Sequence, residues 1–384
     1  MSQIISLYQY KKPVLELTLV QGLTDHDRSE VASALADRTG VLHIDARSLL
    51  PPRRPKKPHV PRATRGTGQD DPPDEEDCPD CACADKVFEF LRKIETDAKD
   101  ARAAIIDLPA LIDTRHVVED ILDAGYRIDS IITVIDSRQF WNDVYSQEVL
   151  EEGGMKDDVN ELLVEQIEYC DQILLNQASR MLDWELLGIE RGLRRLQPRA
   201  RIHFSASTKT LPDDLLGQHL FDAEQTERGS TWRHTLEDPE ALVPSIHFRA
   251  TRPFHPERLA KLIEKWPTDI FRTFGTIWIA NHNEVAVNFS QIGPNSIHLT
   301  DDGPWLASMD SEDAMAAQEA HPELARHWDK RHGDRHSEVV FICDQSAPID
   351  WIRRMESALL NDVEMKMNWT SAWADPFAYL KNLG

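Results

Sequence analysis

The stretch Leu15-Glu-Leu-Thr-Leu-Val20-Gln-Gly22-Leu-Thr-Asp-His-Asp27-Arg28-Ser29 decides how the chain is read. Leu15 to Val20 is an apolar run of strand length, and Gly22 punctuates it. Asp27 to Arg38 then carries Val31, Leu35 and Ala36 at helical spacing. A glycine between a buried strand and a helix is where α/β proteins cradle phosphate on backbone amides at a helix N-terminus. That loop reads G-x-x-x-x-G-K-[ST], with the lysine on the β/γ phosphates and the hydroxyl on magnesium. Counted from Gly22, the second glycine is Asp27, the lysine is Arg28, and Ser29 survives. Asp25 and Asp27 place two carboxylates where triphosphate would lie, and like charges repel at close range. Read as structure alone, the same residues are a strand-to-helix turn whose acids suit a helix N-terminus.

The surrounding sequence repeats the strand-then-helix order. Val41 to Ile44, Ala103 to Ile106, Ile131 to Ile135 and Ile173 to Leu175 are further short apolar runs, each followed by polar or turn-forming residues. Strands apolar on both faces belong in a buried parallel sheet, so the first half predicts an α/β domain with its site at the carboxyl ends of the strands. Asp107, Asp136 and Asn176 close three of these strands. Guanine recognition at the last of them needs Asn-Lys-x-Asp, and Asn176-Gln177-Ala178-Ser179 keeps only the asparagine.

Residues 51–80 interrupt this order with eight prolines, a basic run (Arg53, Arg54, Lys56, Lys57, Arg62, Arg65) and then an acidic one. Such a segment builds no core and predicts a disordered insertion. Its functional reading is a basic arm for an anionic partner. Cys78, Cys81 and Cys83 end the insertion, three of the chain's five cysteines. Three thiolates plus one further ligand suit tetrahedral zinc. Cys170 and Cys343 read as buried apolar side chains. His332 and His336 have metal spacing for a helix, but Gly333 breaks it, and a solvated helix end is expected there.

After a polar linker at 226–244 the pattern changes. Ile246 to Arg249, Ile277 to Ala280, Glu284 to Phe289, Ser296 to Thr300 and Val339 to Cys343 predict strands. His255 to Trp266, Glu312 to His327 and Ile349 to Leu360 predict helices, and Trp266, Trp278 and Trp305 its core. This gives a smaller α+β domain over 245–362 after a first domain over 1–225, with a tail at 363–384. The formal charge of −23 opposes broad nucleic-acid binding. There is no apolar window long enough for a membrane helix and no signal peptide, so a cytoplasmic protein without a membrane partner is expected.

In this order the pieces resemble the CobW family of P-loop GTPases, a zinc and cobalt metallochaperone group. Arg252-Pro-Phe-His-Pro-Glu-Arg258, Phe271-Arg-Thr-Phe-Gly-Thr-Ile-Trp-Ile-Ala280, Gly303-Pro-Trp305 and Gly333-Asp-Arg335 are similar to the motifs of its C-terminal domain. Glu165-Gln-Ile-Glu168 and Asp107 match the first domain, a P-loop NTPase-like parallel sheet. The resemblance implies a GTP and magnesium site at Gly22, Arg28, Ser29, Asp107 and Asn176, and zinc at Cys78, Cys81 and Cys83. It also marks departures: Arg28 for the lysine, Asp27 for the glycine, Ala110 for a glycine, and Gln177 and Ser179 for the guanine-reading pair. These imply feeble or absent GTP hydrolysis. The tail Trp369-Thr-Ser-Ala-Trp-Ala-Asp-Pro-Phe377 is similar to that of degenerate actinobacterial members, mycobacterial ones among them. Those are associated with zinc starvation and with recruitment of a ribosome-hibernation factor. A protein partner, the ribosome or a ribosome-associated factor, is therefore implied. The alternative is an active GTPase metallochaperone that delivers zinc to a client protein.

Overall fold

The computed structural model describes residues 15–46, 102–152, 155–222, 245–267, 270–293, 296–309, 314–315, 328–343 and 349–382. The insertion with Cys78, Cys81 and Cys83, the linker and most of the helix expected over 312–327 lie outside these residues. The chain divides into two compact units, the second beginning in the main at Thr231.

The first unit is built on a six-stranded parallel sheet. Its members are β1 (Glu16–Gln21), β2 (Leu42–Asp45), β3 (Ala103–Asp107), β4 (Arg127–Asp136), β7 (Gln172–Asn176) and β8 (Arg201–Phe204). Their order is β2-β3-β1-β4-β7-β8, and β5 (Val149–Glu152) and β6 (Met155–Asp158) form a separate hairpin. β1 lies between β3 and β4 and is buried almost throughout, as its apolar run requires. Helix α1 (Asp25–Thr39) packs Val31, Ala32 and Leu35 against Val20, Ile105 and Val134 of the sheet. It stops at Gly40, whose left-handed backbone caps it. Helices α2 (Thr114–Asp123), α3 (Phe140–Val144), α4 (Val159–Glu168) and α5 (Asp183–Leu196) are further elements among the described residues of this part of the chain.

The second unit has an antiparallel sheet ordered β12-β11-β10-β13-β9. These are β9 (Ser245–Ala250), β10 (Ile270–Ile277), β11 (Val285–Ile292), β12 (Ser296–Pro304) and β13 (Ser337–Cys343). One expectation is corrected: Ile277 to Ala280 is not a strand. The strand ends at Ile277, and Ala280–His282 is a short 3-10 turn. Apolar residues on both faces of 270–280 hid the boundary. Gly275 sits at the middle of β10, where a Cβ would run into the Glu338 carbonyl of β13. Helices α6 (Pro256–Ile263) and α7 (Ile349–Ala358) belong to this unit, as does the short α8 (Trp369–Ala372). Its core gathers Trp266, Phe289, Phe341 and Trp351, with ring centroids of Trp266 5.1, 6.1 and 5.1 Å from the other three. Trp278 and Trp305 are buried as expected, and so are Cys170 and Cys343. Phe377 and Leu380 of the tail join the same core. His332 lies in a turn and is half-buried: it packs against Trp278 and Trp369, at 5.2 and 6.3 Å between centroids.

The motifs of the second unit are structural. Phe254 is fully buried, Pro256 opens α6, and Arg258 makes two bonds to Glu364, at 2.7 and 2.8 Å. Asp334 accepts the amides of Leu306 and Ala307, and Arg335 donates to the Asn283 carbonyl.

Candidate functional site

The parallel strands bring their carboxyl ends together in register. Val20 stands beside Asp107, Gln21 beside Thr133, and Asp136 beside Asn176. This edge is where ligands bind in open parallel sheets. Gly22 follows β1 here because nothing larger fits: a Cβ would stand 2.5 Å from the Val134 carbonyl oxygen.

Arg28 is fully buried, which for a guanidinium demands partners on every side. Nε donates to Asp107 Oδ1 at 2.5 Å, Nη1 to the Gly22 carbonyl at 2.9 Å, and Nη2 to Asp25 Oδ1 at 2.5 Å. Asp107 is likewise fully buried, and its second oxygen accepts the Ser29 hydroxyl. The predicted residues Gly22, Arg28, Ser29 and Asp107 therefore meet in one network. The cation of the loop is turned inward by planar, bidentate-capable geometry that a lysine lacks. Ser29 beside Asp107 fits the magnesium half of a nucleotide site. The arginine does not fit the phosphate half, because its three nitrogens are committed to protein oxygens.

Asn176 also reaches the loop. Its Nδ2 donates to Asp27 Oδ1 at 3.2 Å, and it is fully buried. Burial, and next the charge of Asp136, push the Asp27 carboxyl above its ordinary range. Asp136 itself is held below that range: burial acts against its charge, but hydrogen bonds from the Arg138 side chain and amide outweigh it. At the guanine-reading position, Gln177 takes a left-handed backbone, φ 58°, and Ser179 is exposed.

Two features escaped the sequence reading. The first is a buried amide network: Gln21 Nε2 donates to Thr133 Oγ1 and the Gln166 carbonyl, and Gln166 Nε2 donates to the Ala110 carbonyl. Gln21 directly before Gly22 was its available signal. The second is β8 and the turn after it, where Thr208 donates to Glu30 at 2.9 Å and the Ser205 carbonyl accepts the Ala178 amide. The alternation of Arg201-Ile-His-Phe204 before Ser-Ala-Ser-Thr marked that strand.

Comparison with known proteins places both units. Residues 75–204 match the CobW/HypB/UreG nucleotide-binding domain, and residues 243–359 match the cobalamin synthesis protein CobW C-terminal domain. The first of these segments contains the three clustered cysteines and leaves out the loop 22–29. A zinc-regulated GTPase metalloprotein activator 1 of Dictyostelium discoideum is 27% identical over 269 residues, 65% of this chain and 56% of that protein. A zinc chaperone of Mycobacterium tuberculosis is 27% identical over 267 residues, 65% of this chain and 61% of that protein. The match thus spans little more than half the length of these relatives. A zinc(II)-bound structure of the YjiA GTPase of E. coli aligns over 91% of this chain and 99% of its own, at 15% identity and a TM-score of 0.34. Among the described residues, no helix is long and apolar enough to cross a membrane.

Proposed function

We propose, for a chain that carries CobW/HypB/UreG nucleotide-binding and CobW C-terminal domains and so belongs to the CobW family, that it serves zinc homeostasis by binding and recruitment and no longer turns over GTP. The observation that carries this reading is Arg28, fully buried and bonded to Gly22, Asp25 and Asp107. To meet a triphosphate it would have to leave three acceptors. Asp107 would then stay buried without its cation, and such a charge is costly. Asp25 and Asp27 add negative charge beside the place a phosphate would take. No catalytic residue is assigned. Zinc, as cargo or signal, falls to Cys78, Cys81 and Cys83. The partner is a protein surface, the ribosome or a ribosome-associated factor, and the place of action is the cytoplasm.

Calorimetry with GTP, with and without zinc, tests the first part. No measurable heat and no turnover above background are expected; tight binding with turnover would return the chain to the active metallochaperones. That second reading is favoured by the names of the relatives, a zinc-regulated GTPase activator and a zinc chaperone. Co-sedimentation with ribosomes from zinc-limited extract tests the recruitment part, and a protein left wholly in the supernatant would sink it.

A further inference from the structure

Helix α5 has two faces. On one, Ile189, Gly192, Leu193 and Leu196 are buried. Gly192 fits there because a Cβ would stand 3.0 Å from the Trp141 ring. The other face carries Trp184, Leu187, Gly188 and Arg191, whose spacing sets them in one stripe over two turns. A helix face that stays in water is polar, and this one is not. Trp184 is 69% exposed, Leu187 46%, and Leu182, directly before the helix, 60%. Large apolar side chains exposed in one patch mark a surface that another molecule covers.

Two further observations say what covers it. Glycine inside a helix is less favourable than alanine, and a Cβ at Gly188 would meet nothing within 4 Å. Its own chain asks for no glycine there, whereas a second helix crossing at this point comes closer over a residue without a side chain. The other observation is charge. Asp183 and Arg191 are exposed at the two ends of the stripe, and neither makes an ion pair among the described residues. Antiparallel packing of two identical stripes brings each acid to the other's base. A parallel pair would set Arg191, Arg194 and Arg195 against their own copies. A chain of −23 repels its own copies over most of its surface, but residues 191–208 hold five arginines and no acid, which offsets that repulsion beside α5.

We propose that α5 packs antiparallel on α5 of a second copy of this chain, without nucleotide, across a two-fold axis that passes between Leu187 and Gly188. Trp184 of each copy then lies over Arg191 of the other, and Asp183 beside that ring gives the guanidinium a carboxylate. The patch meets itself, so the contact closes at two copies. The inference is independent of the reading of the Arg28 network. Sedimentation equilibrium of the full-length, nucleotide-free protein tests it, with a chelator present so that metal does not bridge the cysteines of two copies. A monomer–dimer equilibrium is expected, weakened at least about tenfold in Trp184→Ala. Gly188→Glu favours the helix but sets two carboxylates against each other at the axis, so it should melt no lower than the wild type and sediment as a monomer. Asp183→Arg and Arg191→Asp each place like charges across the axis and should be monomeric alone. Mixed in equal amounts they restore both pairs and should form a heterodimer. A protein that is monomeric at every concentration, one that dimerises only with GTP, or a dimer that these substitutions leave unchanged overturns the proposal. So does a mixture of the two charge variants that stays monomeric.

Discussion

The carboxyl edge of the parallel sheet and the aromatic core of the antiparallel unit solve opposite problems. At the first, Arg28 and Asp107 have been taken out of water and are satisfied by one another and by Asp25, Gly22 and Ser29. In the second, Trp266, Phe289, Phe341 and Trp351 are held by shape, with the indole N–H groups of Trp266 and Trp351 buried without a hydrogen-bond partner among the described residues. The family-like motifs of the C-terminal domain lie in the second unit, and they hold structure together: Arg258 on Glu364, Asp334 on two amides, Gly275 against its paired strand β13. The positions that the sequence reads as departures, Asp27 and Arg28 among them, lie in the first. Scaffold resemblance fixes the fold, and function has to be read at the site.

The comparison breaks most sharply at Arg28. Arg28→Ala leaves Asp107 buried without its cation and is expected to cost about 3–5 kcal/mol in urea denaturation. A loss below about 1 kcal/mol would mean that the guanidinium is not locked and remains available to phosphate. In the apolar region the matching loss comes from volume. Trp266→Ala removes a ring packed against three others and should cost about 3–5 kcal/mol as well. The two differ in rescue. Arg28→Met, an apolar side chain of similar length, still strands Asp107, whereas Trp266→Phe recovers much of its loss.

Gly22→Ala is smaller. The added methyl meets the Val134 carbonyl, a backbone atom that cannot rotate away, and a cost of about 1–3 kcal/mol is expected from thermal melts. Glu364 provides a counterpart in the second unit. The hydrogen bond from Arg258 holds its carboxyl down to about 2, against the burial that would raise it. Its folded pKa is depressed, so its contribution is present above the ordinary value of 4.5 and is lost as pH falls toward 2. The stability difference between the wild type and Glu364→Gln should therefore be flat above pH 4.5 and shrink below it. A difference that instead grew on acidification would show that the pair is not the one that holds the 359–364 corner.

Much of the fold was legible because burial writes itself into composition. β1, β3, β4 and β7 are buried runs, and each was found within a few residues from its apolar side chains alone. β8 was missed because it is short and half exposed at the sheet edge, so it lacks that run. The end of β10 was misplaced because both the strand and the turn after it are apolar. At the site, Asp27 and Arg28 are the residue types from which the sequence predicts a changed phosphate loop. They could not show that Arg28 is folded inward, since that depends on Asp107, 79 residues away. The pairing of Asp27 with Asn176 spans 149 residues and was equally hidden. Local chemistry is written locally, whereas the partners of a buried charge are set by strand order.

The smallest expected effect tests how far the charged network reaches. Asp113 closes the loop that follows Asp107 and caps α2, accepting the Arg115 amide at 3.0 Å. It is exposed, and its ion pair with Arg115 at 3.2 Å is exposed too, so that pair contributes little. Asp113→Ala should cost about 1 kcal/mol, the worth of a helix cap. That loss should add to the loss in Arg28→Ala, because the two sites share no partner among the described hydrogen bonds and distant sites add. Equilibrium denaturation of the two single variants and the double variant measures this directly. Additivity within about 0.5 kcal/mol confines the network around Arg28 to Gly22, Asp25, Ser29 and Asp107. A larger coupling would extend that network along residues 107–113. The whole carboxyl edge would then behave as one cooperative polar unit, in contrast to the aromatic core, where each ring contributes through its own volume.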